Sequence, residues 1–438
     1  MSTVNKESSS HWVHIVLLAG VVLALVAPSL AFGRELAAIK ASGVLRVGTS
    51  GDYAPFSLCR RGENQCEGFD IELSIQMAED LGARIEFVRF KWPALLEDLA
   101  ADKFDLAMSG ITVRPERALR ASFTRPYART ESVAVVADLN RFPDIGSIDE
   151  IGVRLAVNAG GHLEQVARSR FPRAKLLTTT LNRSLPAIIL SKNADALLTD
   201  SLEVDSFLNP HPELHALPSF GNDSKAILMN SSNVDLRKWT DEWLLQKEVE
   251  GYLTCARRTW LGSSDREYIP LRIKGLLSLL DIRFALMRGI AEYKRMHGLP
   301  IEDRARESIV LEEIESQIAR SVPPPLSKHL LAAAEDFFSL QIELAKRLQK
   351  VSLNSVGSVP RWAKNRRLRT ELRPAISGLN RRITEELLDL RARRPFRVGE
   401  AKYKEWTNTG LTTSELSEIA RARIGTAMWK VVREASEP

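Results

Sequence analysis

Arg283 and Lys294 stand eleven residues apart in a proline-free stretch, Leu271 to Met296, with helical apolar spacing. At about 100° per residue that interval is three turns, so both cations leave the helix on one side. Beyond Gly298, Leu299 and Pro300, Arg306 adds a third cation at the start of the next helix. Two cations on one helix face and a third across a short turn suit a ligand with two carboxylates, which take charge-assisted hydrogen bonds from fixed donors. The competing reading is a surface ladder of ion pairs with Glu292, Glu302 and Glu307.

The elements that must position these cations are helices. From about Glu267 onward strand signals stop, and apolar residues recur at helical spacing. Helices are expected at Leu271–Met296, Arg304–Ala319, Leu326–Val351, Glu371–Arg393 and Thr413–Glu434, with a proline linker at Ser321–Pro325 and a loop at Val356–Trp362. Before this region, short strands alternate with helices. Val44–Thr49, Arg84–Val88, Phe104–Met108, Arg154–Asn158 and Ala194–Asp200 read as strands. Helices are expected to open near Glu67 and at Trp92. The pattern restarts after about residue 150, so the N-terminal part reads as two α/β lobes with a cleft between them.

The ordered cations, the Tyr293–Lys294 pair, the turn Gly298–Ile301 and the run Asp303–Glu307 resemble the all-helical chorismate mutases. The resemblance runs from Ser264 to the end and implies an all-α domain converting chorismate to prephenate without a cofactor. It implies that Arg283, Lys294 and Arg306 grip the substrate carboxylates and that Gln349 faces the ether oxygen. Asp303 and Glu307 would orient cations or a substrate hydroxyl. Domain length and an exported context point to the secreted subclass, whose active site lies within one chain and in which the position of Arg373 binds a further carboxylate. Two positions depart from some relatives: Ala345 lacks a hydroxyl and Val310 lacks an amide. Each removes a hydrogen bond, not a charge.

In the N-terminal part, Gly43–Thr49, Asp52–Ser57, Gly68–Glu72, Asp105–Thr112 and Arg114–Arg117 resemble the class 3 solute-binding proteins that take up amino acids. That resemblance implies a two-lobed α/β fold of the periplasmic-binding-protein type. Arg117 would clamp a carboxylate, Gly110 and Thr112 would donate backbone and hydroxyl hydrogen bonds, and Asp200 would receive an amino group. Ser50–Ser57, Met108–Thr112, Val157–Gly161 and Thr199–Glu203 are closer to the cyclohexadienyl dehydratases on that scaffold. There the position of Glu203 supplies the acid that protonates a leaving hydroxyl. His162 departs from the small polar residue expected after Gly160–Gly161 and is either a ligand contact or a sign of altered substrate choice. Trp92 either lines a ring pocket or packs between helix and sheet.

The whole chain bounds these readings. At 438 residues it has room for two or three domains. Net charge is +6, but Ser264 to the end holds 32 basic and 23 acidic residues, leaving 29 basic and 32 acidic before it. The basic run Arg361–Arg369 has no nucleic-acid motif beside it, and no nucleic-acid partner is expected. Lys6, two histidines, the thirteen-residue apolar run Ile15–Ala27 and the small residues up to Ala31 read as a cleaved export signal over residues 1–31. A periplasmic protein without stable membrane association follows. In an oxidising compartment Cys59 and Cys66, flanking a turn-like segment, are expected to pair, leaving Cys255 as a buried free thiol.

The expected organisation is a signal at 1–31, a dehydratase module at 36–262 and a mutase module at 264–438. The expected function is a bifunctional enzyme of phenylalanine biosynthesis. Chorismate becomes prephenate, then prephenate yields phenylpyruvate or arogenate yields phenylalanine. The alternative is an amino-acid or aromatic-acid receptor tethered to an active mutase. The sequence leaves open prephenate against arogenate, channelling, and whether the chain forms a homo-oligomer.

Overall fold

The computed structural model describes residues 33–59, 66–262, 270–354, 361–393 and 398–433. The expected export signal lies outside them.

The first lobe is built on a five-stranded sheet in the order β5-β1-β6-β14-β7. Strand β1 (Val44–Thr49) pairs in parallel with β5 (Arg84–Arg89) and β6 (Leu106–Ala107). Antiparallel β14 (Leu228–Asn230) and β7 (Ala121–Phe123) complete it. The β1 run Val-Leu-Arg-Val is half solvated and half core: Leu45 and Val47 are fully buried, while Arg46 turns out to Asp105. A small three-stranded sheet of β2 (Asp52–Tyr53), β3 (Ser57–Cys59) and β4 (Cys66–Glu67) caps the lobe, and a disulfide joins Cys59 to Cys66. Helix α1 (Leu36–Ser42) precedes β1, and α2 (Phe69–Leu81) buries Phe69, Leu73 and Met77. Gly82 ends α2 at φ +72°, where a side chain would be strained. The helix expected at Trp92 is a single tight turn followed by α3 (Leu95–Ala100). Arg117 rides on the short α4 (Pro115–Ala118).

Strand β8 (Ala128–Val136) crosses into the second lobe. Its sheet runs β10-β9-β11-β8-β12, with β13 also on β8. Here β9 (Arg154–Asn158), β10 (Lys175–Thr179) and β11 (Ala196–Asp200) are the core strands, and β12 is His215–Ala216. Helices α5 (His162–Arg170), α6 (Leu185–Leu190) and α7 (Val204–Leu208) cover the sheet. Strand β13 (Phe220–Lys225) brings the chain back, pairing antiparallel with β8 so that Lys225 lies opposite Ala128. These two crossing strands form the hinge; the sequence reading placed no strand there. Their register sets Lys225 beside Thr112 of the first lobe through an isolated bridge.

Helices α8 (Val234–Val249) and α9 (Tyr252–Leu261) return to the first lobe. Cys255, expected to be buried, lies exposed on the outward side of α9, while Leu253 and Ala256 face the core.

The remaining chain is a helical bundle. The stretch expected as one helix is α10 (Leu271–Ala285) and α11 (Met287–Met296), meeting at Leu286. Next come α12 (Arg304–Ser321) and the 27-residue α13 (Lys328–Asn354). A π turn at Leu368–Leu372 leads into α14 (Arg373–Arg393), then α15 (Glu400–Gly410) and α16 (Glu418–Arg433). The last helix begins at Glu418, not Thr413, because Thr412 and Thr413 turn their backbone N–H groups and hydroxyls onto half-buried Asp281. The sequence reading had no helix at α15, whose apolar face is only Tyr403, Trp406 and Gly410.

Two candidate active sites

The cleft between the lobes is closed around charged side chains. Arg114 of the first lobe donates to the Gly161 carbonyl of the second at 2.9 Å, and the Asn182 N–H reaches Asp52 Oδ2 at 3.4 Å. Gly160 has φ +72°, and a Cβ there would sit 2.8 Å from the Pro93 backbone. Lobe contact at this point requires glycine on both counts.

Arg117 is buried, its Nη1 donating to the Thr112 carbonyl at 3.0 Å, and its guanidinium stands 5.8 Å from the Trp92 ring centre. Burial, reinforced by neighbouring Arg114, pulls its pKa down to about 9. A buried cation pushed this way gains most from an incoming carboxylate. Trp92 is edge-on to Tyr53 and Phe90, so it packs, yet its Nε1 is buried without a hydrogen-bond partner. The Thr112 hydroxyl donates to Asp223 Oδ2 at 2.8 Å. The Gly110 N–H is turned onto Asp70 Oδ2 at 2.6 Å, which removes it from the donor set the resemblance implied. His162 opens α5 and has its pKa lowered to about 4 by burial, so it stands neutral.

Asp200 ends β11, where its Oδ1 accepts the N–H groups of Leu202 and Glu203 at 3.0 Å each. That turn aims Glu203 inward. Its carboxyl takes the Thr199 hydroxyl at 2.6 Å and the Asn182 side-chain amide, and only 1% of the residue is exposed. Burial first, and Asp200 second, raise its pKa well above the usual carboxylate range. Such a group keeps its proton at neutral pH. Asp52 Oδ1 and Asn158 Oδ1 are buried without hydrogen-bond partners, polar atoms that a ligand in the cleft could satisfy.

Sequence reasoning missed Lys225, Asp223, Asn182 and Tyr53. Lys225 Nζ lies 2.8 Å from Asp223 Oδ2, 3.1 Å from the Tyr53 hydroxyl, 3.2 Å from Thr112 Oγ1 and 3.4 Å from Asp200 Oδ2. The signal that could have found them is the Asp223-Ser-Lys225 alternation, which puts both charges on one face of a strand.

The second constellation lies in the bundle, with Arg283, Lys294 and Gln349 buried and Asp303, Arg306, Glu307 and Arg373 partly exposed. Arg283 is buried on α10, with Nε donating to Asn380 Oδ1 at 2.9 Å and Nη1 to the Gln341 carbonyl at 3.2 Å. Burial alone lowers its pKa to about 10, and among the described residues no carboxylate pairs with it. Around it the Gln341 side-chain amide, Asn380 Nδ2 and Gln349 Oε1 are buried and unpartnered. Such a core is costly unless something polar enters it. Gln349 Nε2 donates to the Ala345 carbonyl at 3.3 Å.

Lys294 Nζ donates to the Ile301 carbonyl at 2.7 Å across the turn; burial lowers its pKa while Asp303 and Glu307 act against that. Asp303 caps α12 by accepting the Arg306 N–H at 3.1 Å, and its other oxygen takes Arg373 Nη2 at 3.1 Å. Arg306 reaches Ser377 Oγ at 3.1 Å and Glu313 at 3.3 Å. Glu307 pairs with Lys346 at 3.0 Å. Glu292 is taken by Arg295, so a surface ladder on Glu292 does not account for Arg283 and Lys294. Gln341 and Asn380 were not singled out from sequence.

A cavity of about 1430 Å³ lies between the modules at the edge of the cleft, with Arg114, Gly161 and His162 of the two lobes and Arg288, Glu292 and Glu415 of the bundle in its walls. Among the described residues no cluster of His, Cys, Asp and Glu could hold a metal ion, and no helix is long and apolar enough to cross a membrane.

Residues 45–263 match the bacterial extracellular solute-binding proteins, family 3, and residues 274–350 match chorismate mutase type II. A cyclohexadienyl dehydratase of Pseudomonas aeruginosa is 37% identical over 225 residues, 50% of this chain and 83% of that protein. The L-cystine-binding protein TcyJ of Escherichia coli is 23% identical over 51% of this chain and 85% of its own length. The crystal structure of the ancestral amino acid-binding protein AncCDT-1, a precursor of cyclohexadienyl dehydratase, aligns at TM-score 0.49 with 30% identity, covering 52% of this chain and 99% of that one.

Proposed function

Because this chain belongs to the family 3 bacterial extracellular solute-binding proteins and joins that module to a type II chorismate mutase domain, we propose that it is a bifunctional enzyme of phenylalanine biosynthesis. The helical domain turns chorismate into prephenate. The two-lobed domain removes water and carbon dioxide from prephenate, or from arogenate. Its family and its similarity to a cyclohexadienyl dehydratase support an exported, periplasmic setting.

In the mutase the reaction needs neither nucleophile nor proton transfer. Negative charge grows on the ether oxygen of a chair-like transition state while both carboxylates are held so that the reacting ends meet. In this reading Arg283, Arg306 and Arg373 hold the carboxylates. Lys294 and the Gln349 amide supply donors to the ether oxygen in a site that excludes water. Since Gln349 is neutral, this arm requires no protonated carboxyl. The observation that carries the reading is Arg283, buried without an acidic partner beside unpartnered amides.

In the dehydratase, hydroxide leaves poorly unless protonated. Glu203, deeply buried with a raised pKa, donates its proton to the departing hydroxyl. The carbon–oxygen bond breaks to give water. The bond to the ring carboxylate breaks to give carbon dioxide, and its electron pair completes the aromatic ring. Glu203 then regains one proton from solvent. Arg117 holds the side-chain carboxylate.

Glu203→Gln tests this against the receptor alternative. Loss of dehydratase turnover with retained mutase rate and retained ligand binding fits an enzyme; unchanged turnover would remove Glu203 from the mechanism, and an absence of turnover already in the wild-type chain would favour the receptor.

A further inference from the structure

An α-amino acid carries its ammonium on the carbon that bears its carboxylate. With the carboxylate on Arg117, the ammonium must find an acid nearby. Glu116, whose charge also acts on Arg117, is paired with Arg114; the other buried carboxylates at that point are Asp223 and Asp200. Both are already engaged by Lys225 Nζ, at 2.8 Å and 3.4 Å. Among the other acids, Asp70 takes the Gly110 N–H and the Tyr127 hydroxyl, Glu203 holds its proton, and Asp52, whose Oδ2 accepts the Asn182 N–H, lies in the field of the Arg89 cation. The Lys225, Asp200 and Asp223 charges leave one net negative charge, and Arg117 brings the cluster to neutrality. One ligand carboxylate is welcome there; an additional ammonium meets Lys225 as a like charge.

We propose that Lys225 makes the cleft select a 2-oxo acid over the corresponding 2-amino acid. The ammonium that an amino acid would bring is already built into the protein. A 2-oxo group offers an acceptor that the Lys225 ammonium can serve, while an amino group offers only further positive charge. Selection arises as much from the repulsive element as from the attractive one. For its natural substrate the inference rests on the dehydratase reading and names prephenate over arogenate; the selection itself rests on the geometry of the cleft.

The test is calorimetric titration of the full chain with phenylpyruvate and with phenylalanine, which differ only at this group. Heat that survives Arg117→Met is discounted as binding elsewhere. The wild-type chain is expected to bind phenylpyruvate at least about tenfold more tightly, a difference of about 1.4 kcal/mol. Lys225→Met is expected to narrow that ratio about tenfold, its mutase rate and melting temperature reporting on folding. Should that variant fail to fold, the wild-type ratio decides. Equal or tighter binding of phenylalanine, or a ratio untouched in folded Lys225→Met, overturns the proposal. Turnover of prephenate and arogenate is measured alongside. Turnover of neither, with the binding preference intact, defeats the dehydratase reading and leaves the selection standing; equal turnover and equal binding of both pairs does the reverse.

Discussion

Glu203 and Arg283 are the two residues whose surroundings make least sense without a reaction. For Glu203→Gln we expect dehydratase kcat to fall by about 10²–10⁴, the usual worth of a placed general acid, with mutase kcat unchanged. Since burial raises the Glu203 pKa, its acid form is kept up to a higher pH than for an ordinary carboxyl. The dehydratase rate should therefore fall as pH rises through that pKa, which a pH–kcat profile of each arm would reveal; a falling mutase limb at the same pH would contradict the assignment. For Arg283→Met we expect mutase kcat/KM to drop by about 10²–10³. The melting temperature should hold or rise, because an unpaired buried cation is removed; a large destabilisation would mark Arg283 as structural. These residues were legible because each sits in a local motif. Lys225 and Asn380 were not: Thr112 and Asp223 are 111 positions apart, and Arg283 and Asn380 are 97 apart, partners that only the tertiary fold brings together.

Single turns and caps carry much of the positioning. Gly160 permits the lobes to meet, so Gly160→Ala should hinder closure and cut dehydratase kcat/KM by about tenfold or more. The mutase rate serves as the control, and a fully active variant would show that the contact with Pro93 is dispensable. Asp303 both caps α12 and holds Arg373, so Asp303→Ala should cost about 1 kcal/mol of stability by denaturant titration and raise the mutase KM. The long helices were readable because their apolar stripes are wide, and β1, β5, β9 and β11 because their apolar runs are bounded by turn residues. The hinge strands were not. In β13 the sequence Phe-Gly-Asn-Asp-Ser-Lys has little strand character, and its pairing with β8 is imposed by the return of the chain between lobes. Helix α15 escaped because its buried face is short and follows a basic run.

The modules are held together by charge at the scale of the molecule. Arg125 of the first lobe is buried between Asp241 and Glu386 of α14, Arg382 donates to the Phe123 carbonyl at 2.8 Å, and Arg129 on hinge strand β8 reaches the Gly410 carbonyl at 2.8 Å. Val113, Ala118 and Leu119 pack against the helical core. Removing one member of such a buried pair is strongly destabilising. Glu386→Ala should lower the melting temperature and separate one calorimetric transition into two; one unshifted transition would show the interface to be energetically minor. That two modules exist was plain from the change of periodicity near residue 267. That the bundle leans on the hinge was not, because the contacts involve arginines that read as ordinary surface charge. The central claim is that one chain carries both reactions in sequence. The direct test is to give the purified protein chorismate alone and follow chorismate loss and phenylpyruvate formation together. Both signals, the second reduced in Glu203→Gln and both reduced about 10²–10³-fold in Arg283→Met, are the predicted result; chorismate loss with prephenate accumulating in the wild-type chain would contradict the account.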